Sequence, residues 1–283
     1  MDYSYLEAKR DLDDRSMNQR VWAAFRDGAE EIRSRQGGAL RILEIGAGSG
    51  SMVERLGAWG VLASLAEGGE LHYEAVEPQE ALIPVLRERL AARRELSGWR
   101  VFHGDVSQYL EEAGGGAELL IAHAVLDLFS AEEATEIADQ LLGDGGLLYA
   151  SITFDGESFF EPVGNRDLDA AVRRAYHDSM ARQGVGASGF ARKLLITLPA
   201  AGMEIEEVGA SDWIILPREG SYYPGEGAFL GSILSMVESS VRGALPEEQL
   251  EAWLEERREQ LEGGRLVYIA HQLDILARKG SSI

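Results

Sequence analysis

Between residues 39 and 154, apolar runs of strand length alternate with helical patterns, and that rhythm constrains the chain more than any other feature. The runs are ALRILEI (39–45), LHYEAVE (71–77), WRVFHGD (99–105), AELLIAHAV (117–125) and LLYASITF (147–154). Between them Met52, Leu56 and Trp59 recur at helical spacing. Leu82, Leu86 and Leu90 do so again, in a helix that must start near Pro84 because proline is tolerated only in a first turn. Residues 130–142 read as a helix stopped by GDGG (143–146). Parallel strands need crossovers of helix length, so this order implies an α/β chain. The expectation is a doubly wound, seven-stranded, mostly parallel sheet with helices on both faces.

After Asp155 the rhythm changes. A glycine- and acid-containing loop (155–165) leads to a helix near 166–182, a glycine-spaced turn at 184–189 and a helix at 190–201. Residues 203–217 read as a sixth strand interrupted at Gly209. Residues 220–264 form a late two-helix insertion, the second helix entered at Pro246, with Glu247 and Glu248 in its first turn and Gly263 as its stop. The run 266–276 is apolar at both parities and so reads as a last strand buried on both faces. Three parts are expected: an N-terminal segment (1–36), a main α/β domain (37–219 with 265–283), and the helical insertion (220–264).

Charge narrows the partners. The formal net charge is −21, and only Lys9, Lys193 and Lys279 are lysines. Adaptation to high salt and a GC-rich genome writing arginine for lysine both produce this pattern. In either case the chain repels polyanions and has no basic stripe, which speaks against nucleic acid. Cysteine is absent, so thiolate metal sites and a cysteine nucleophile are excluded. The start lacks the features of a secretory signal, and no apolar run approaches the ~18 residues of a membrane span. No membrane partner and a cytoplasmic location are expected.

RILEIGAGSG (41–50) runs a strand straight into Gly46, Gly48 and Gly50. A dinucleotide fingerprint needs G-x-G-x-x-G, and Ser51 takes the place of its third glycine. A phosphate-binding P-loop needs Gly-Lys-Ser/Thr, and no lysine is near. ILEIGAGSG instead resembles the first motif of the class I S-adenosylmethionine-dependent methyltransferases, E/D-x-G-x-G-x-G. Further landmarks follow in order: YEAVEP with Glu77, FHGDV with Asp105, IAHAVLDLF, and GGLLYAS. The resemblance covers roughly 39–217 and the final strand. It implies S-adenosylmethionine as cofactor, with main chain of Gly46, Ala47 and Gly48 against its methionine and ribose portion. It also implies Glu77, followed by Pro78, on the ribose hydroxyls, Asp105 and the Val106 N–H on adenine, Glu44 steadying the loop, and His123 at the methionine moiety. The segment before the first strand is expected to be a helical lid, with Tyr3 or Tyr5 covering the site and Lys9 or Arg10 pairing with the methionine carboxylate. One departure is a long helix extended through 58–69, which sets Glu77 farther from the glycines than usual.

The implied activity is in-line methyl transfer to an oxygen or nitrogen nucleophile of a small molecule, which calls for no metal. Candidate catalytic residues are His123, paired with Asp127 as a general base, and His177. His72, His103 and His271 read as structural. Tyr222, Tyr223 and Phe229, with Asp155, Glu157 and Glu161 nearby, suggest an aromatic pocket for a cationic or amine substrate. No N/D-P-P-Y/F motif follows the fourth strand, which also speaks against a nucleic-acid substrate. Two alternatives stay open: a cofactor user with a non-methylating activity, and a non-catalytic binding module. Trp253 and Leu254 could form a homodimer surface as easily as a pocket wall.

Overall fold

In the computed structural model, which describes residues 3–35, 37–182 and 189–281, and side chains over 6–35, 37–180 and 189–281, each apolar run becomes a strand. These are β1 (Leu40–Ile45), β2 (Leu71–Glu77), β3 (Gly98–His103), β4 (Ala117–His123) and β5 (Leu142–Glu161), joined later by β6 (Met203–Ala210), β7 (Trp213–Ile215) and β8 (Val267–Lys279). They form one sheet in the order β3-β2-β1-β4-β5-β8-β6, with β7 also on β8. The first five strands are parallel, whereas β8 runs antiparallel to β5, β6 and β7. The strand order reverses between β1 and β4, which opens a crevice at their carboxyl ends.

Alternation along each strand divides the core. Ile42, Tyr73, Leu119, Ile121 and Tyr149 face one side. There they meet Phe25 of α2 (Gln19–Arg35), Leu56 of α3 (Ser51–Ala58) and Leu65 of α4 (Val61–Glu67). Their neighbours Leu43, Val76, Leu120, Ala122 and Leu148 face the other side. Those residues pack on Tyr109 of α6 (Val106–Ala113), Ala138 of α7 (Ala131–Leu141) and Leu194 of α9 (Phe190–Ala200). Both faces are buried, which is why these strands read as nearly continuous apolar runs. The set is completed by α1 (Tyr3–Ser16), α5 (Ile83–Ala91), α8 (Arg166–Arg182) and the inserted pair α10 (Glu226–Val241) and α11 (Glu247–Glu262). Among the described residues no helix is long and apolar enough to cross a membrane.

Four local expectations are corrected. The one long helix expected after the glycine loop and extended through 58–69 is two, α3 and α4, separated at Gly60, whose φ of 80° is left-handed. The loop 155–165 is largely strand: β5 continues to Glu161, paired with β8 as far as Val267. The single strand over 203–217 divides at Ser211–Asp212, where the Asp212 carboxylate accepts from the Gln272 N–H (3.1 Å) and substitutes for a ladder carbonyl, so the sheet has eight strands. Gly209 lies within β6, where a Cβ would sit 2.2 Å from Asn18 Nδ2, so close packing rather than a break requires glycine there. Finally, Trp253 and Leu254 are buried inside the chain and form no exposed dimer surface. Trp253 donates to Asp169 of α8 at 3.2 Å.

Candidate active site

The glycine loop turns at left-handed residues, with φ of 63° at Gly46, 57° at Gly48 and 86° at Gly50. At Gly46 a Cβ would lie 2.4 Å from Val125 Cγ2, so only glycine lets β1 leave the sheet at this point. Parallel register places Ile45 beside Val76, and Ala47 N–H donates to the Val76 carbonyl at 3.1 Å. Glu77 therefore lies beside the loop despite the helices inserted between them. Its Oε2 accepts from Gly48 N–H at 2.7 Å and its Oε1 from Gln79 N–H at 2.8 Å. Each carboxylate oxygen keeps a lone pair beyond these bonds. At the end of β3, Asp105 caps α6 through a capping box with Gln108, both bonds at 2.9 Å. The D-V-S-Q pattern carried that signal in the sequence. Glu44 is buried, accepts from Tyr73 OH at 2.5 Å, and burial, reinforced by nearby Glu77, pushes its carboxyl up to about 8.

Glu44, Gly46, Ala47, Gly48, Glu77, Pro78, Asp105, Val106 and His123 all line one cavity of about 330 Å³, within the range of small-molecule sites. It lies at the strand-order reversal.

His123, at the end of β4, does not pair with Asp127. Its Nδ1 lies 2.8 Å from Ser151 Oγ, while Nε2 faces Asp13 Oδ2 at 3.2 Å and Arg55 Nη1 at 3.1 Å. Burial and the Arg55 charge bring the imidazole down to about 4, so it is neutral near pH 7. Asp13 also accepts from Trp213 Nε1 at 2.9 Å and pairs with Lys9 at 3.2 Å. Burial alone would raise this carboxyl, but Lys9, His123 and Arg55 together hold it well below the usual range. This network fastens α1 over the cavity, where Leu6 and Lys9 form part of the wall. Arg10 is turned away and pairs with Glu54 at 2.7 Å. The side chains of Tyr3 and Tyr5, and residues 184–188 of the turn expected at 184–189, lie outside the described residues.

Toward β5 and β8 the wall becomes apolar and aromatic, with Phe129, Phe154, Tyr176, Met180, Trp213 and Ile233 among its residues. Tyr222, Tyr223 and Phe229 are not on it: Tyr222 OH donates to the Leu266 carbonyl (2.9 Å), Tyr223 is exposed, and Phe229 packs edge-on behind Trp213 at 5.2 Å. His177 is also elsewhere. On α8 the i, i+4 pair Tyr176 and Met180 takes the cavity face, leaving His177 toward Ser158 at 3.4 Å and Glu157 at 4.0 Å. Asp155 is fully buried against Arg192, and Glu161 accepts from Val163 N–H at 2.9 Å, so neither acid reaches the cavity, nor does Glu157. Beyond Glu44, Glu77 and Asp105, the acid on the wall is Asp127, in the 3₁₀ turn after β4, and Gln272 of β8 lines it too. Ala124 and Ile152, also on the wall, have φ of 52° and 53°. For a β-branched residue that is backbone strain, held by Ile152 N–H donating to the buried Asp274 carboxylate at 2.7 Å.

No family model matches the sequence, and no curated protein matches it. Solved structures do. A candidate methyltransferase of Bacillus halodurans C-125 superposes with a TM-score of 0.51 at 14% identity, over 89% of this chain and 99% of that one. The cyclase SpnF gives 0.44 at 16% identity, over 90% of this chain and 80% of that one. The cyclopropane synthase MmaA2 of Mycobacterium tuberculosis gives 0.45 at 11%, over 89% and 82%. Identities this low speak to architecture alone, and the Bacillus halodurans structure carries that comparison. The chain has a Rossmann-like α/β fold, shared with that candidate methyltransferase.

Proposed function

We propose that the protein is an S-adenosylmethionine-dependent methyltransferase acting on an oxygen or nitrogen nucleophile of a small molecule. One observation carries this: the glycine loop, Glu77, Asp105 and His123, from four different strand ends, line a single cavity at the strand-order reversal. The cofactor fits the residues present. Gly46 and Gly48 expose main chain that a Cβ-bearing residue would obstruct or strain, and Glu77 retains acceptor capacity for two ribose hydroxyls. Asp105 and the Val106 N–H would hold adenine.

When bound, S-adenosylmethionine supplies a methyl group activated by a sulfonium. The chain's own part is alignment and exclusion of water. The apolar wall from Phe129 to Trp213 keeps the acceptor half dry, which strengthens every polar contact made there. Neutral His123, with both ring nitrogens engaged, holds Ser151 and α1 in place. The cavity of about 330 Å³ and the −21 charge favour a small molecule over a polyanion. Calorimetry with S-adenosylhomocysteine and NAD, followed by transfer of labelled methyl to a panel of small amines, phenols and alcohols, tests the proposal. Binding of the homocysteine compound without NAD binding, and label on one class of nucleophile, is expected. NAD binding alone, or no label on any member, would overturn it.

A further inference from the structure

Two side chains on the cavity wall keep a buried oxygen with no hydrogen-bond partner among the described residues: Asp127 Oδ1 and Gln272 Oε1. Both are acceptors. Gln272 is only 1% exposed. They come from opposite sides of β5, since Asp127 follows β4 and Gln272 pairs in register with Phe154. Phe154 and the strained Ile152, on the intervening strand β5, line the same cavity, so its wall there is apolar.

The charge on this side is unbalanced. Among the described residues Lys9 is the only lysine or arginine on the wall, and its ammonium is occupied at 3.2 Å from Asp13 and 5.4 Å from the Trp213 ring centroid. Burial raises the Asp127 carboxyl to about 6, against smaller opposing effects of its own N–H and Lys9, which leaves it ionised at pH 7.5. A carboxylate on an apolar wall whose one nearby cation, Lys9, is already paired with Asp13 is unfavourable until something brings another. A ligand that supplies an N–H donor and positive charge does so, whereas a carboxylate ligand would add a second negative charge.

We infer that this half of the cavity selects an apolar organic amine, bound as its ammonium by the Asp127 carboxylate, which takes one proton so that the nitrogen lone pair is free to accept the methyl group, and whose second donor, where present, meets Gln272. This rests on the methyltransferase assignment above and adds the substrate class. The same ammonium chemistry is also present in the methionine part of the cofactor, so the test separates the two sources.

The probes are phenethylamine, 2-phenylethanol and phenylacetate, which differ in the polar end, titrated at pH 7.5 into protein saturated with S-adenosylhomocysteine. Phenethylamine is expected to bind at least tenfold more tightly than phenylacetate, with the alcohol between them. Asp127→Asn should weaken phenethylamine binding at least tenfold and shift S-adenosylhomocysteine affinity less than twofold, while Asp127→Glu retains the amine preference. Equal or absent binding of the amine overturns the inference, as does an Asp127→Asn variant that binds it normally. A tenfold loss of S-adenosylhomocysteine affinity in Asp127→Asn also overturns it, because the ammonium held would be the cofactor's. If Asp127→Asn does not fold, Gln272→Leu replaces it in a comparison of phenethylamine with 1,2-diamino-3-phenylpropane: loss of the advantage of the second amine supports the inference, and its persistence overturns it. Failure of the wild type to bind S-adenosylhomocysteine at all would sink the methyltransferase assignment instead.

Discussion

Glu44 and Glu77 stand on neighbouring parallel strands and are treated oppositely by the fold. Glu77 accepts two backbone N–H bonds at the cavity lip, while Glu44 lies beneath the loop with Tyr73 OH as its donor. Burial takes Glu44 from an ordinary value near 4.5 up to about 8. The folded state therefore binds this proton more tightly than the unfolded chain. The resulting stabilisation is complete below about pH 4.5 and is lost as pH rises toward 8. Urea unfolding from pH 5 to 8 should show wild type losing stability relative to Glu44→Gln across that window; parallel curves would contradict the assigned environment. Glu77 and Asp105 were legible because a carboxylate closing an apolar strand is a conspicuous local signal. Asp127 was named only as a partner for His123. Its role emerges from what fails to meet it in three dimensions, which no spacing records.

At the scale of elements, α1 departs most from its sequence. YSYLEAKRDLDDR is too polar for a core helix, yet Lys9 and Asp13 are buried, and Asp13 meets Arg55, His123 and Trp213. These partners lie 42, 110 and 200 positions away, so helical periodicity could not reveal them. Removing one member of a buried charge network leaves the others unpaired, so Asp13→Ala should destabilise the protein by about 3–5 kcal/mol. Asp14 also contacts Arg55 but keeps 33% of its side-chain exposure, so Asp14→Ala should cost about 1 kcal/mol or less. Equal losses in chemical denaturation would show that α1 is held by packing rather than by the Asp13 network. The strands were legible as elements, but β5 beyond Asp155 was not. Gly156 and the surrounding acids look like a loop, whereas in the sheet Gly156 accompanies a register shift between Phe154 and Glu157 that lets pairing with β8 resume.

Across the whole molecule, the helix–strand alternation established parallel pairing and two packed faces, but neither the strand order nor the antiparallel insertion of β8. Those depend on which edge each crossover reaches. The −21 charge acts at this scale too. Raising sodium chloride from about 0.1 to 1 M shortens the screening length from about 10 to 3 Å. Self-repulsion is relieved over that range, so the thermal midpoint should rise; a fall would mean that attractive surface pairs outweigh the net charge. The central claim places an adenosyl ligand at the carboxyl ends of β1 and β2, gripped by Glu77. Calorimetric titration of S-adenosylhomocysteine into wild type and Glu77→Ala tests it most directly. Wild type should bind, and the variant, still folded by circular dichroism, should bind more weakly by about 1.5–3 kcal/mol. Absence of binding in wild type, or equal affinity in the two proteins, would contradict it.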